Sequence, residues 1–172
     1  MTEEDTTNKM GKVFVWIAWI MAFTLLVYGF QSMLDEQWNP NTDPKTYIAK
    51  GGETEVHLQQ NRLGHYLVQG KINNQEVTFL LDTGATQVSI PLHIAKGLQL
   101  PEFGKYSVET ANGSVIVTQT RIKQLSIGDI VLSDVAAHIN PGMRSSEILL
   151  GMSALKRVEF SQRGKQLTLR AY

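Results

Sequence analysis

One acidic residue follows an apolar run at a position where its carboxylate could take part in chemistry. Asp82 comes directly after Phe79-Leu80-Leu81 and is followed by Thr83 and Gly84. Gly84 allows a sharp turn, which would place the carboxylate at the end of a strand beside unpaired backbone N–H groups. Because burying an unpaired carboxylate is costly, this placement requires hydrogen-bond donors or a shared proton. The sequence therefore predicts either an acid–base carboxylate or, more simply, an aspartate that closes a β-turn.

Short alternating segments from Thr54 onward predict the elements that must position this carboxylate. They are separated by polar turns at close intervals, which is typical of an all-β barrel or sandwich. Asn112-Gly113 lies between two β-rich runs and predicts a hairpin, since both positions tolerate positive φ. Only two short helices are expected, over Pro91–Leu98 and Met152–Val158. The sequence thus predicts a mainly β domain over residues 54–172.

An uncharged, strongly apolar run from Val13 to Leu34 predicts a transmembrane helix, because about 20 such residues span the hydrocarbon core of a bilayer. A cleaved signal peptide usually has a shorter apolar core and a small-residue cleavage site, which this segment lacks. The core helix of a soluble protein is disfavoured because the run is apolar on every side. Lys9 and Lys12 precede the run and the next lysine is Lys45, so we expect residues 1–12 in the cytoplasm and the remainder outside it.

Between the apolar run and the β segments lies a stretch with a different composition. Residues 35–53 contain two prolines, two asparagines and a closing Gly-Gly, and they show neither helical nor strand periodicity. This pattern predicts a linker between the membrane helix and the β domain.

Composition excludes several classes of function. The 172 residues are 42% hydrophobic and 19% charged, which are ordinary values for a globular protein. The net charge is zero, so no basic excess points to nucleic acid. The chain has no cysteine, and its four histidines show no zinc-binding spacing. We therefore expect no metal, no cofactor and no nucleic-acid partner.

Three motifs in order give the sequence a specific resemblance. These are FLLDTGAT at 79–86, ETANGSVIV at 109–117 and EILLGMSALKRVEF at 147–160. Together they resemble the active-site loop, the flap hairpin and the second apolar strand with its following helix in retropepsin-like aspartic proteases. The text is most similar to the membrane-anchored bacterial subgroup of clan AA. The resemblance covers nearly all of residues 54–172 and implies a single-lobe, closed β-barrel of the acid protease fold, preceded by a transmembrane helix.

The resemblance also implies which residues form the site. Aspartic proteolysis needs two carboxylates that share one proton, since two like charges about 3 Å apart cannot both ionise. The sequence holds only one Asp-Thr-Gly, so two chains would have to meet in an isologous dimer. The implied site comprises the catalytic Asp82, the active-site loop residues Thr83, Gly84, Ala85 and Thr86, the flap residues Thr110, Ala111, Asn112, Gly113 and Ser114, and the supporting residues Leu149, Leu150 and Gly151.

Further expectations follow from the same resemblance. The substrate would be a peptide or protein, and the protease domain would lie in the periplasm as part of a single-pass inner-membrane protein. Ala85 has no hydroxyl to stabilise the Asp82 carboxylate, so we expect an activity optimum less acidic than that of gastric-type enzymes. The exposed stretch 39–52 is a candidate site for self-cleavage.

Two alternatives remain beside the protease. A tethered β-barrel could bind peptides or a partner protein without cutting them. The text DTGAT also fits the phosphate loop of actin-like and sugar-kinase ATPases, but that fold needs two large α/β lobes, and the segment after the linker is too short and has too few helices.

Overall fold

The N-terminal part of the chain is one long helix. The computed structural model describes residues 3–110 and 113–171, with residues 3–10 and 32 described by their backbone alone. Helix α1 spans Glu3–Trp38. Its stretch Gly11–Trp38 is 28 residues long, and the most apolar part of this stretch is not buried inside the structure. At about 1.5 Å per residue this stretch is long and apolar enough to cross a membrane. The helical prediction for residues 13–34 is thus confirmed, and the helix continues to Trp38.

The rest of the chain is mainly β, as predicted. The chain forms two compact units, divided after Gln37, and the second unit contains every strand. Its elements are β1 Thr46–Ile48, β2 Thr54–Gln59, β3 Leu67–Ile72, β4 Gln75–Leu81, β5 Val88–Pro91, α2 Leu92–Gly97, β6 Lys105–Thr110, β7 Gly113–Ile127, β8 Ile130–Asn140, β9 Glu147–Leu150, α3 Met152–Leu155, β10 Glu159–Arg163 and β11 Gln166–Ala171.

The strands form two sheets. One has four strands in the order β1-β2-β11-β10, and the other has seven in the order β3-β4-β9-β5-β8-β7-β6. Strand β3 also pairs with β7 through Lys71↔Ser126 and Ile72↔Leu125. Hydrogen bonding therefore runs from β3 through β4, β9, β5, β8 and β7 and back to β3. Six strands thus form a ring around a common core.

The core is filled by the inward-facing residues of these strands. Strand β7 buries alternate residues only locally, Thr120 and Ile122 and then Leu125 and Ile127, and the side of the strand that is buried changes between the two pairs. Strands β4 and β9, in contrast, pair in parallel, and their largest apolar side chains are fully buried. Among the fully buried core residues are Phe79, Ile90, Ile122, Ile139, Ile148 and Leu155.

Both predicted short helices are present with narrower bounds. Helix α2 covers Leu92–Gly97 and starts directly after Pro91. Helix α3 covers only Met152–Leu155 of the predicted seven residues, because the N–H groups of Arg157 and Val158 bond three residues back, to Ala154 and Leu155, in tighter turns. Val158 still packs partly buried against the core, which explains the apolar spacing beyond the helix end.

The segment 35–53, for which the sequence predicts a linker, is partly ordered in the structure. After α1 ends, Asn39 and Asn41 are buried. The Asn41 amide nitrogen donates to the carbonyls of Gln59 (2.9 Å) and Leu67 (2.6 Å), and its side-chain oxygen accepts the Gln59 N–H. Strand β1 then pairs antiparallel with β2. One amide side chain and a three-residue strand leave no periodic pattern in a sequence, so this order has no sequence signal.

Candidate active site

Asp82 lies in a tight turn at the end of β4. Its backbone N–H donates to the carbonyl of Leu150 (3.2 Å), which fixes the residue against the end of β9. The Gly84 N–H donates to the carboxylate Oδ1 (2.9 Å), and the Ala85 N–H donates to the Asp82 carbonyl (3.3 Å). Within the described part of the chain, the second carboxylate oxygen, Oδ2, accepts no hydrogen bond. The residue is half-buried, with one carboxylate oxygen used by the turn and one available.

The neighbouring strand β9 holds this turn from the side on which it pairs with β4. Strands β4 and β9 run parallel, with Phe79 opposite Ile148 and Leu81 opposite Leu150. Apolar side chains at this crossing, Phe79, Ile148 and Leu150, are at most 2% exposed. The carboxyl ends of both strands therefore meet at one edge, which places the segment around Gly151 beside the Asp82 turn.

Helix α3 uses the active-site loop as its N-terminal cap. The Met152 N–H donates to the Ala85 carbonyl (2.8 Å), and the Ser153 N–H donates to the Thr86 carbonyl (3.0 Å). These are N–H groups that a helix cannot satisfy internally. The Ser153 hydroxyl accepts the Val88 N–H (3.0 Å) and donates to the Ala136 carbonyl (2.7 Å). The backbone of the loop after Asp82 is consequently held by α3 on one side.

Gly151, which joins β9 to α3 and is called the second loop below, lets the chain approach the loop after Asp82 closely. A Cβ atom at this position would lie 2.7 Å from the Ala85 carbonyl oxygen and would overlap the Gln87 carbonyl group. Both obstacles are backbone atoms, which cannot rotate away as a flexible side chain could. A glycine is therefore required here by packing and not by its backbone angles, since Gly151 has an extended φ of −85°.

The structure places the other predicted loop residues as follows. Thr83, Gly84 and Thr86 are exposed, and Ala85 is half-buried. The predicted supporting residues Leu149, Leu150 and Gly151 all lie at the end of β9 or directly after it. The structure brings this group together with the Asp82 turn.

The predicted flap is a hairpin of β6 and β7. Its strands pair from Lys105↔Thr118 to Thr110↔Gly113, and the Thr110 hydroxyl donates to the Gly113 carbonyl (2.7 Å). Gly113 has a φ of 104°, which glycine adopts without strain. Ser114 is exposed and its hydroxyl lies 2.5 Å from that of Ser107. The predicted flap residues Ala111 and Asn112 lie outside the described residues.

One polar cluster near the loop has no signal in the sequence. The Tyr106 hydroxyl lies 3.3 Å from Oε1 of Gln87 and 3.2 Å from Nδ1 of His138. Burial lowers the pKa of His138 and raises the pKa of Tyr106, so both side chains favour their neutral forms. The three residues come from a loop and two different strands, so no local pattern could have linked them. In the described ranges no group of three or more His, Asp or Glu residues could hold a metal ion.

Comparisons with known proteins agree with this geometry. A family model described as "gag-polyprotein putative aspartyl protease" matches residues 68–157, more than half of the chain, including β4, the Asp82 turn, the hairpin, β9 and α3. A relative from Sinorhizobium sp., described as "Uncharacterized protein in cobV 5'region", is 29% identical over 123 residues, which is 69% of this chain. The chain spans about half of that relative's length, 53%.

A solved structure shows the same fold. The crystal structure of a retropepsin-like aspartic protease from Rickettsia conorii superposes with a TM-score of 0.59 at 23% identity, over 74% of this chain and 94% of the other. The predicted resemblance is thus confirmed by the family model, and the predicted fold by the solved structure. The chain belongs to the family of retropepsin-like aspartic proteases.

Proposed function

We propose that the protein is a membrane-anchored aspartic endopeptidase that hydrolyses peptide bonds as a homodimer. The proposal rests chiefly on the Asp82 turn, which holds this half-buried residue at the adjoining ends of β4 and β9 and leaves its carboxylate oxygen Oδ2 uncommitted. A plain β-turn needs only the Oδ1 contact to Gly84. The match to a family of aspartic proteases supports a catalytic role for the remaining oxygen, Oδ2.

The chemistry needs the partner's Asp82 as well as the chain's own. In the dimer the two carboxylates share one proton, because two adjacent negative charges cannot both persist. The ionised carboxylate takes a proton from a water molecule while the water oxygen attacks the scissile carbonyl. The protonated carboxyl group donates its proton to the carbonyl oxygen. The exposed Thr83 hydroxyl would bond across the two-fold axis beneath the dyad, and Gly84 would help position the substrate backbone.

The hairpin of β6 and β7 would close over the bound peptide. An extended substrate can pair with strand-like main chain in the active-site cleft, which gives affinity independent of side chains. Closure by the tip, residues 110–114, would also exclude water from the dyad. Peptide bonds in extended segments of proteins are accordingly the substrate class.

The membrane helix would confine both subunits to one surface. Lys9 and Lys12 favour a cytoplasmic N-terminus, with the protease domain in the periplasm. Two chains restricted to a membrane meet at a higher effective concentration than free domains do. Dimerisation, and with it activity, would then rise with surface density.

A comparison of three full-length proteins tests this proposal. Wild type, Asp82→Asn and the control Asp129→Asn, which alters an exposed aspartate without a following Thr-Gly, are purified in detergent and incubated with a mixed peptide library from pH 3.5 to 7.5. Mass spectrometry identifies the cuts. We expect the same cuts from wild type and Asp129→Asn and none from Asp82→Asn.

The same samples separate the enzyme from its alternative. If wild type and Asp82→Asn bind peptides equally and neither cuts, while sedimentation shows a dimer, the protein is a tethered binding module and the proposal fails. Mixing tests the shared site, since at constant total protein a dyad built from two chains makes activity fall with the square of the wild-type fraction as Asp82→Asn replaces wild type. A linear fall would place a complete site in one chain and contradict the dimer.

A further inference from the structure

The outer part of the β6–β7 hairpin leaves the sheet at a defined point. Strand β7 pairs with β8 from Ile127↔Ile130 up to Thr118↔Ile139, and its next residue toward the hairpin tip, Val117, pairs only with Tyr106 of β6. Val117 is fully buried, whereas its neighbour Ile116 is 65% exposed. Beyond Tyr106 and Val117 the hairpin is therefore a two-stranded ribbon, which has little stability of its own.

Tyr106 thus lies where the ribbon begins, and its hydroxyl contacts two other parts of the domain. One partner is Gln87 in the active-site loop (3.3 Å) and the other is His138 in β8 (3.2 Å). The Tyr106 and His138 rings also meet edge to face, with centroids 6.2 Å apart and planes at 82°. This geometry is favourable for an aromatic pair. The base of the ribbon is fixed to the sheet and to the loop by one side chain.

The directions of the two hydrogen bonds follow from the chemistry of the groups. The Gln87 oxygen can only accept, so the Tyr106 hydroxyl donates to it. The Tyr106 oxygen then accepts from His138, which requires the proton of the imidazole to be on Nδ1. His138 is 8% exposed, and its burial favours the neutral ring that supplies this single proton. The chain of bonds runs in one direction, from His138 through Tyr106 to Gln87.

Gln87 is a fixed point in the loop that carries Asp82. Its carbonyl lies against Gly151, and the next residue, Val88, donates its N–H to the Ser153 hydroxyl. The Gln87 backbone therefore cannot shift without moving the contact between the two loops. A side chain that holds the ribbon to Gln87 therefore fixes the distance between the hairpin and the loop.

We propose that Tyr106 is a positioning residue that holds the base of the hairpin over the active-site loop. It acts through the His138–Tyr106–Gln87 hydrogen bonds and does not touch the reacting atoms. Its effect on turnover rests on the proposed protease activity, whereas its effect on the hairpin does not. Because the Gln87 backbone is fixed, the Tyr106–Gln87 bond resists movement of the hairpin away from the loop.

Tyr106→Phe tests the proposal because it removes the hydroxyl and keeps the ring. Hydrogen exchange of the full-length protein is measured for peptides within 105–119 and for the remaining strands. Loss of a part-buried hydrogen bond of ordinary strength predicts exchange about fivefold to tenfold faster in the ribbon. Tyr47→Phe is the matched control, since Tyr47 stacks on His57 with ring centroids 4.7 Å apart in the other sheet. We expect the control to leave ribbon exchange unchanged.

Two results would overturn the proposal. Ribbon exchange in Tyr106→Phe equal to wild type shows that the hydroxyl does not hold the hairpin. Exchange accelerated equally in all strands shows a general loss of stability and no positioning role.

Enzyme kinetics give a second, separable test. If the protein cleaves peptides, Tyr106→Phe should raise KM about fivefold to tenfold and change kcat less, because the hairpin binds substrate and the dyad is untouched. Gln87→Met removes the other end of the same bond, and the double variant should then resemble Tyr106→Phe, which already lacks this bond. Additive effects of the two changes contradict a shared bond. Absence of cleavage by wild type overturns the proposed function, while the exchange experiment still decides the role of Tyr106.

Discussion

Gly151→Ala is the sharpest perturbation of the contact between the two loops. The added Cβ would lie 2.7 Å from the Ala85 carbonyl oxygen and overlap the Gln87 carbonyl group. Neither obstacle can rotate away, so the active-site loop and the start of α3 must move apart. Overpacking of this kind costs about 1–3 kcal/mol. We expect a loss of about 2 kcal/mol in the free energy of unfolding.

The expected consequences are a lower unfolding temperature and a larger loss of activity. For a β domain of this size, about 2 kcal/mol corresponds to a midpoint roughly 5–10 °C below wild type. The displaced loop carries Asp82, the proposed catalytic residue, and a shift of even a fraction of an ångström at a reacting group lowers turnover, so we expect at least about a tenfold fall in kcat/KM. Circular dichroism on full-length protein in detergent follows unfolding, and peptide cleavage is measured well below the midpoint.

Gly97→Ala is the control for replacing a glycine. Gly97 is the last residue of α2, and a Cβ there meets no atom within 4 Å. In a helix, alanine is favoured over glycine by up to about 1 kcal/mol, so the control should unfold at or above the wild-type midpoint. If Gly151→Ala matches wild type in both midpoint and cleavage, the close contact of the two loops is not tight and the account of Gly151 is wrong.

Two further substitutions examine buried polar groups. The Tyr66 hydroxyl is buried and has no hydrogen-bond partner among the described residues, so Tyr66→Phe should raise the unfolding midpoint; a lower midpoint would show that a water satisfies the hydroxyl. Burial lowers the pKa of His138 below the ordinary 6.5. Between pH 6.5 and that lower pKa the unfolded state binds a proton that the folded state does not, so stability decreases as the pH is lowered. Denaturant titrations at pH 7.5 and 5.5 should therefore show a smaller fall for His138→Gln than for wild type, and an equal fall would contradict the buried neutral His138.

Local patterns predicted the strands and helices around the site. The apolar run before Asp82 became β4, the Asn112-Gly113 pair marked the joint of β6 and β7, and Pro91 preceded α2. Each of these signals comes from a few adjacent residues whose backbone preferences act without the rest of the chain. The parallel pairing of β4 with β9 is different, because these strands lie about 70 residues apart in sequence. The resemblance to a family implied that residues 149–151 support the Asp82 loop, but not this pairing.

Side-chain contacts between distant segments were not predictable. Tyr106, Gln87 and His138 are ordinary polar residues in their own segments, and their contact depends on how the hairpin leaves the sheet. Gly151 was predicted as a member of the second loop, but the reason for a glycine is the position of two carbonyls on another segment. Such features depend on tertiary packing, which the periodicity of a sequence does not encode.

The order found after α1 changes how release from the membrane would occur. Asn41 makes three side-chain hydrogen bonds to β2 and β3, and its carbonyl accepts the Gln69 N–H (3.0 Å). A cut within residues 42–52 would therefore leave Asn41 bound to the domain through these contacts, and α1 would stay attached through Asn41. Strand β1, which follows, is held by its pairing with β2. A proteolytic nick in the predicted linker is thus not equivalent to release, and a cut that frees the intact domain must fall before Asn39.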